Sequence, residues 1–79
     1  MTDVDSADVW PADAMDVEEA VVSNWFVRDG ATVEAGETIA EIQIEKVSVD
    51  VTAPDSGTVE RLVAEQGEFR RGDLLARIT

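Results

Sequence analysis

An internal repeat restricts the possible folds of this chain more than any other feature. Residues 22–30 and 59–67 each begin with valine, carry a bulky apolar pair three and four positions later, and end in glycine. Residues 36–42 and 72–78 share a second pattern: Gly, acid, any residue, Ile or Leu, Ala, charged residue, Ile. The offset between copies is 37 residues for the first pair (22 to 59) and 36 for the second (36 to 72). Two copies are too few for a solenoid, so we expect two half-domains packed around a pseudo-two-fold axis.

The segments between the repeated glycines predict β-strands. Apolar and polar residues alternate through 40–44 and again through 47–53, as in strands with one buried face. Residues 12–20 lack a sustained helical stripe and are interpreted as strand and loop. Short strands between Gly-, Pro- and Asp-rich turns favour an all-β sandwich or flattened barrel. Its predicted core is Val22, Trp25, Val27, Ile39, Ile42, Ile44, Val49, Val51, Val59, Leu62, Leu75 and Ile78.

The length and composition bound the kind of protein. The 79 residues suffice for a single domain, 1–79, of which we expect residues 1–8 to be loosely ordered. The chain has no cysteine and no histidine. Disulfides, thiolate zinc sites and nucleophiles activated by histidine are therefore excluded, and we expect neither a catalytic nor a metal site.

The charge of the chain points to the partners it can have. Eighteen acidic residues face six basic ones, a formal net charge of −12. Such a surface disfavours nucleic acid and anionic membranes and attracts partners with basic faces; the alternative is that the acidity only maintains solubility. The chain lacks an apolar run of membrane-spanning length and a secretory signal. We expect an intracellular protein, cytoplasmic or, in a eukaryote, from the mitochondrial matrix.

The alternation of apolar residues changes phase at Glu45-Lys46. Apolar positions are even-numbered up to Ile44 and odd-numbered from Val47 onward. Because side chains in a strand alternate with period two, a continuous strand would keep its phase. A two-residue hairpin loop restores the match by pairing Ile44 with Val47. Glu-Lys suits positive φ poorly, so we expect a type I turn with both side chains in solvent.

Lys46 is the only lysine of the chain, and the other five basic residues are arginines. An ammonium can lose its proton and form an amide, whereas a guanidinium stays protonated. A lone lysine on an exposed tip would therefore give a modifying enzyme a single acceptor. The alternative is a solvated turn lysine with no further role.

These residues resemble the biotinyl/lipoyl-attachment domain family. The resemblance rests on Glu45-Lys46-Val47 and on the Ala-Pro-x-x-Gly-x-Val segment at 53–59, and it covers about residues 9–79. It implies a flattened barrel-sandwich of two antiparallel four-stranded sheets with pseudo-two-fold symmetry, and a prosthetic group on Lys46. The first-half signature is matched by Trp25, Phe26, Val27, Asp29, Gly30, Val33 and Gly36.

The residues beside Lys46 decide which prosthetic group the resemblance implies. Biotinyl domains usually have methionine on both sides of the lysine, whereas lipoyl domains usually have Asp before it and Ala or Val after it. Glu45 keeps the acid and Val47 fits the lipoyl pattern, so lipoate bound covalently to Lys46 is expected, with both neighbours as recognition residues. A biotin carboxyl carrier and an unmodified interaction module of the same fold are the alternatives.

The resemblance implies a carrier domain rather than an enzyme. In the family, the lipoyl arm shuttles acyl groups and reducing equivalents between the active sites of a 2-oxo acid dehydrogenase complex. The implied partners are a lipoylating enzyme, a thiamine-diphosphate-dependent decarboxylase, an acyltransferase core and a flavin-containing dihydrolipoamide dehydrogenase. Glu45, Asp50 and the acidic loop of the first half are candidates for selecting these partners. The isolated domain is expected to be monomeric.

Overall fold

Alternating apolar residues produce eight short strands in the computed structural model, which describes residues 1–79. One sheet has the strand order β1-β8-β6-β3 and is called the terminal sheet; the other has the order β5-β4-β2-β7 and is called the tip sheet. All pairings are antiparallel, which confirms the predicted all-β sandwich. The elements are β1 (Thr2–Asp5), α1 (Ser6–Val9), a 3₁₀ turn (Ala12–Ala14), β2 (Glu19–Trp25), β3 (Thr32–Val33), β4 (Thr38–Ile44), β5 (Val47–Thr52), β6 (Gly57–Arg61), β7 (Glu68–Arg70) and β8 (Leu74–Ile78).

The two sheets repeat one topology, as the internal repeat predicts. Replacing β1, β8, β6 and β3 by β5, β4, β2 and β7 converts one strand order into the other. Loop hydrogen bonds repeat as well: the Gly30 amide donates to Val59 O at 2.7 Å, and the Gln66 amide donates to Val22 O at 2.8 Å. Each half thus uses a loop of the other half to extend its own sheet.

A β-bulge in β2 changes the correspondence between the halves. The register against β4 shifts between Val22 and Asn24, because Ser23 is an extra residue in β2. The offset therefore falls from 37 to 36 within the strand and not after the following loop. Gly30 consequently corresponds to Gln66, and not to Gly67 as the sequence repeat suggests.

The same shift explains why the predicted burial of Leu62 is wrong. In the sequence repeat Leu62 aligns with Trp25, which is buried, but in the structure it corresponds to Phe26. The amides of Phe26 and Leu62 donate to Ile39 O at 2.9 Å and Leu75 O at 3.0 Å, which are equivalent bonds. Both side chains face solvent, with Phe26 55% and Leu62 42% exposed.

The remaining predicted core residues lie between the sheets. Val27 and Val49 are partly buried and pack against the core, and the other nine are buried. Nine further buried residues, outside the predicted list, complete the core: Val4, Trp10, Ala14, Ala20, Val33, Ala40, Ala53, Phe69 and Ala76.

Most of residues 1–8, for which we expected loose order, lie in regular elements. Thr2–Asp5 forms β1 at the edge of the terminal sheet, paired with β8. Ser6 is completely buried; its amide donates to Asp73 O at 3.0 Å and its Oγ accepts from the Gly72 amide at 2.9 Å. β1 occupies the place in the terminal sheet that β5 has in the tip sheet.

Residues 12–20, interpreted as strand and loop, begin with the 3₁₀ turn and reach β2 at Glu19. Trp10, just before them, lies edge-on against Phe69 with ring centroids 6.2 Å apart. Its indole N–H donates to Ala14 O at 2.9 Å, which satisfies the buried donor. No helix of the chain has the length and apolar character needed to cross a membrane.

Candidate functional site

The hairpin between β4 and β5 has the register that the phase change predicts. Ile44 pairs with Val47 and Ile42 pairs with Val49, which leaves Glu45 and Lys46 as the two-residue turn. The apolar side of both strands thereby faces the core. Ile42 and Ile44 are buried there and anchor the hairpin. The turn therefore lies at the end of a hairpin whose two strands pack on the core.

The backbone of the turn differs from the expected type I turn. Glu45 has φ +54°, whereas the first central residue of a type I turn has φ near −60°. Positive φ at this position matches the twist of the flanking strands. It costs a non-glycine residue roughly 1 kcal/mol or more.

Gln43 supports this turn, and the sequence analysis missed it because a polar residue near a strand end carries no distinctive signal. Its Nε2 donates to Glu45 O at 3.1 Å. That carbonyl belongs to the peptide joining Glu45 to Lys46, so the bond restrains the plane from which the lysine projects.

The three residues proposed for attachment and recognition lie together at the apex. Glu45, Lys46 and Val47 are all exposed, and Val47 leaves 37% of its surface in solvent despite being apolar. The three ion pairs of the chain all use arginine, so no carboxylate neutralises the Lys46 ammonium within 4 Å. The Lys46 side chain is thus exposed and makes no ion pair within the chain.

Lys46 lies on a convex surface and not in a cleft. The largest cavity, about 340 Å³, lies on the edge strand β7 and is lined by Glu19, Glu68, Phe69, Arg70 and Asp73. Neither of the other two cavities includes the hairpin turn. Asp50, also predicted to select partners, lies on β5 four positions after the lysine and is exposed.

Comparison with known proteins agrees with this geometry. The sequence model of the Biotin_lipoyl family, described as biotin-requiring enzyme, matches residues 9–78. The chain is 36% identical over 63 residues to the dihydrolipoyllysine-residue acetyltransferase component of the pyruvate dehydrogenase complex of Staphylococcus aureus strain Mu50, covering 78% of this chain and 15% of that protein. Identity to the protein of the same name from Staphylococcus epidermidis strain RP62A is 33% over 63 residues, covering 78% and 14%.

The match is to one small part of these relatives, because the chain spans about 15% of their length. The family model, by contrast, includes nearly all of the β-sandwich, from the end of α1 through β8. With its two pseudo-symmetric sheets and the exposed lysine between β4 and β5, the chain belongs to the biotinyl/lipoyl-attachment domain family and is homologous to the lipoyl domain of dihydrolipoyllysine-residue acetyltransferases.

Proposed function

We propose that this domain carries a lipoyl group in amide linkage to Lys46 and presents it to the enzymes of a 2-oxo acid dehydrogenase complex. The observation that supports this most is the position of the only lysine at the apex of a two-residue hairpin. Extended bonds of about 1.5 Å give the lysine and lipoyl chain a reach on the order of 10–15 Å. That reach allows the end of the arm to enter a buried active site while the domain stays outside.

When bound, the lipoyl group supplies a disulfide that accepts acyl groups and electrons. The residues of this chain hold the arm and select its surroundings. Ile42 and Ile44 fix the hairpin to the core, and Gln43 restrains the peptide before Lys46. Tethering raises the local concentration of the arm at each active site, and this is the contribution of a carrier domain.

Lipoate is favoured over biotin by two observations. Glu45 and Val47 lack the paired methionines of biotinyl domains. The relatives are named for a dihydrolipoyllysine residue and a pyruvate dehydrogenase complex. We extend from these names to the partners: a lipoylating enzyme, a thiamine-diphosphate-dependent decarboxylase, an acyltransferase core and a flavin-containing dihydrolipoamide dehydrogenase.

The proposal is tested by lipoylation of the purified domain with a lipoate–protein ligase, followed by intact mass and peptide mapping. We expect one lipoyl group at Lys46 and none on Lys46→Arg, because arginine keeps the charge but offers no amine suited to acylation. The hairpin contacts do not involve the lysine side chain, so the variant should melt at the same temperature as the wild type.

A double variant, Lys46→Arg with Arg28→Lys, is the matched control. It keeps one lysine and the same net charge, but places the amine in another exposed loop. We expect no modification of it. Equal modification of residue 28, or a native protein with a bare or biotinylated Lys46, would contradict the proposal.

A further inference from the structure

The outer edge of β5, directly after Lys46, is open to another strand. β5 is the last strand of the tip sheet. Ile44 and Val47 flank a two-residue loop and so exchange both backbone hydrogen bonds, and bonding alternates from there. Ser48 and Asp50 therefore turn their backbone N–H and C=O groups away from β4. No other backbone or side-chain group of the chain hydrogen-bonds these four groups.

The outer face beside this edge carries two carboxylates without a cation. Asp50 lies directly across from Glu41 in the β4–β5 pairing, and like charges at opposed positions destabilise a sheet. No arginine or lysine nitrogen lies within 4 Å of either carboxylate. The Ser23 hydroxyl is the one side-chain donor to Glu41 Oε1, at 3.3 Å.

The terminal sheet compensates the equivalent row of charges internally. Arg77 occupies the position of Glu41, with Asp3 across from it on β1 and Glu60 across from it on β6. Its Nε lies 3.4 Å from Asp3 Oδ1 and its Nη1 lies 3.8 Å from Glu60 Oε1. The same fold thus places a guanidinium between two carboxylates in the terminal sheet and leaves Glu41 and Asp50 of the tip sheet without a cation.

We infer that the edge of β5 receives an extended basic segment of the enzyme that lipoylates Lys46. The segment adds a fifth strand to the tip sheet through the backbone groups of Ser48 and Asp50. An arginine or lysine of the segment lies opposite Asp50 and supplies the cation that Arg77 supplies in the terminal sheet. The inference rests on the proposed function, because it names the partner through the reaction at Lys46.

The position of the edge fits this partner. Strands rise about 3.3 Å per residue, so Ser48 and Asp50 lie roughly 7 and 13 Å along the chain from Lys46. A strand added there holds the lysine at a fixed distance from the enzyme that acylates it. Backbone bonds provide affinity in such strand additions, and opposed side chains provide specificity. The net charge of −12 also attracts a basic segment electrostatically.

Steady-state lipoylation of Asp50→Asn and Asp3→Asn tests the charge. Both variants lose one carboxylate from equivalent edge positions and have the same net charge. We expect Asp50→Asn to raise KM about two- to five-fold with kcat unchanged, the size of one cross-strand charge pair, and Asp3→Asn to leave both constants as in the wild type. Equal KM values for the two variants overturn the inference. A wild-type domain that is not lipoylated at all refutes the proposed function instead.

Amide hydrogen exchange tests the strand addition. The Lys46→Arg domain binds the ligase without being consumed, and we expect the Ser48 and Asp50 amides to exchange several-fold more slowly in the mixture. The Asp3 amide on the equivalent edge is the internal control and should not change. Unchanged exchange at Ser48 and Asp50 overturns the inference. Protection that grows with domain concentration in the absence of ligase also overturns it, because the edge would then pair with a second copy.

Discussion

The two sheets of this domain share one strand order but differ at one end. In the tip sheet, β4 and β5 are joined by Glu45 and Lys46. In the terminal sheet the equivalent strands are β8 and β1. They pair with each other, Ile78 opposite Thr2, but no turn joins them. The buried residues of β4 and β8 are alike in the two sheets: Ile39, Ala40 and Ile42 correspond to Leu75, Ala76 and Ile78. The comparison shows that the repeated part of the structure provides the core, whereas the proposed function depends on the place where the repeat is broken.

The outer faces differ in charge. The terminal sheet pairs Arg77 with two carboxylates, while Glu41 and Asp50 face each other in the tip sheet. A surface that needed only stability would have opposite charges in both rows. We assign the unpaired charges of the tip sheet to a partner, as inferred above, whereas the paired charges of the terminal sheet support the fold.

The largest effects are expected in the shared core. Ile39 and Leu75 occupy equivalent positions, accept equivalent hydrogen bonds and are completely buried. Ile39→Ala and Leu75→Ala should each lower the free energy of unfolding by roughly 2–5 kcal/mol, because each leaves a cavity in an enclosed site. Urea denaturation measures both. Losses differing by more than about 2 kcal/mol, or a loss below about 0.5 kcal/mol at either site, would show that the two halves do not share the core equally.

A smaller effect is expected at the equivalent loop positions Gly30 and Gln66, which have φ of +88° and +65°. Gly30→Ala should cost about 1–2 kcal/mol from the left-handed backbone alone, since no atom lies within 4 Å of the added Cβ. Gln66→Gly should change stability by less than about 1 kcal/mol. Glycine relieves the strain of the positive φ. It also makes the unfolded chain more flexible, which lowers stability, and it removes the hydrogen bond from Gln66 Nε2 to Ser23 O at 2.8 Å.

Thermal melts of the two loop variants beside the wild type provide the measurement. A Gly30→Ala protein as stable as the wild type would show that the loop adopts another conformation. A Gln66→Gly protein destabilised by more than Gly30→Ala would show that the glutamine side chain, and not the backbone, determines this loop.

Much of this fold follows from local sequence patterns, and the exceptions have identifiable causes. The strand alternation and the phase change predict the hairpin register, because side-chain period and burial act within a few residues. The bulge at Ser23 leaves no such signal, so the sequence repeat aligns Leu62 one position away from its structural counterpart. The order of residues 1–8 depends on pairing with β8 at the far end of the sequence, which local periodicity does not report.

At the candidate site, the sequence predicts which residues form the turn but not its backbone. The preference of Glu-Lys for negative φ indicated a type I turn, whereas the twist of the anchored strands holds Glu45 at positive φ. The charged residues on the outer faces of the two sheets could not be compared from the sequence either. The contrast between Glu41 and Arg77 appears only when their cross-strand neighbours are known.

The smallest effects on the free energy of unfolding are expected at Arg77 and Glu41, the equivalent charged residues of the two outer faces. The two effects should have opposite signs. Arg77→Gln removes both ion pairs of the terminal sheet and should cost up to about 1 kcal/mol, since the pairs are partly exposed. Glu41→Gln removes the like-charge contact with Asp50 but keeps an acceptor for Ser23, and should raise stability by a few tenths of a kcal/mol.

Chemical denaturation in urea, at low salt and at about 1 M salt, measures both. High salt shortens the Debye length to roughly 3 Å, so both differences should shrink there. A Glu41→Gln protein that is less stable than the wild type at low salt would mean that the acidic row stabilises the free domain and is not kept unpaired for a partner.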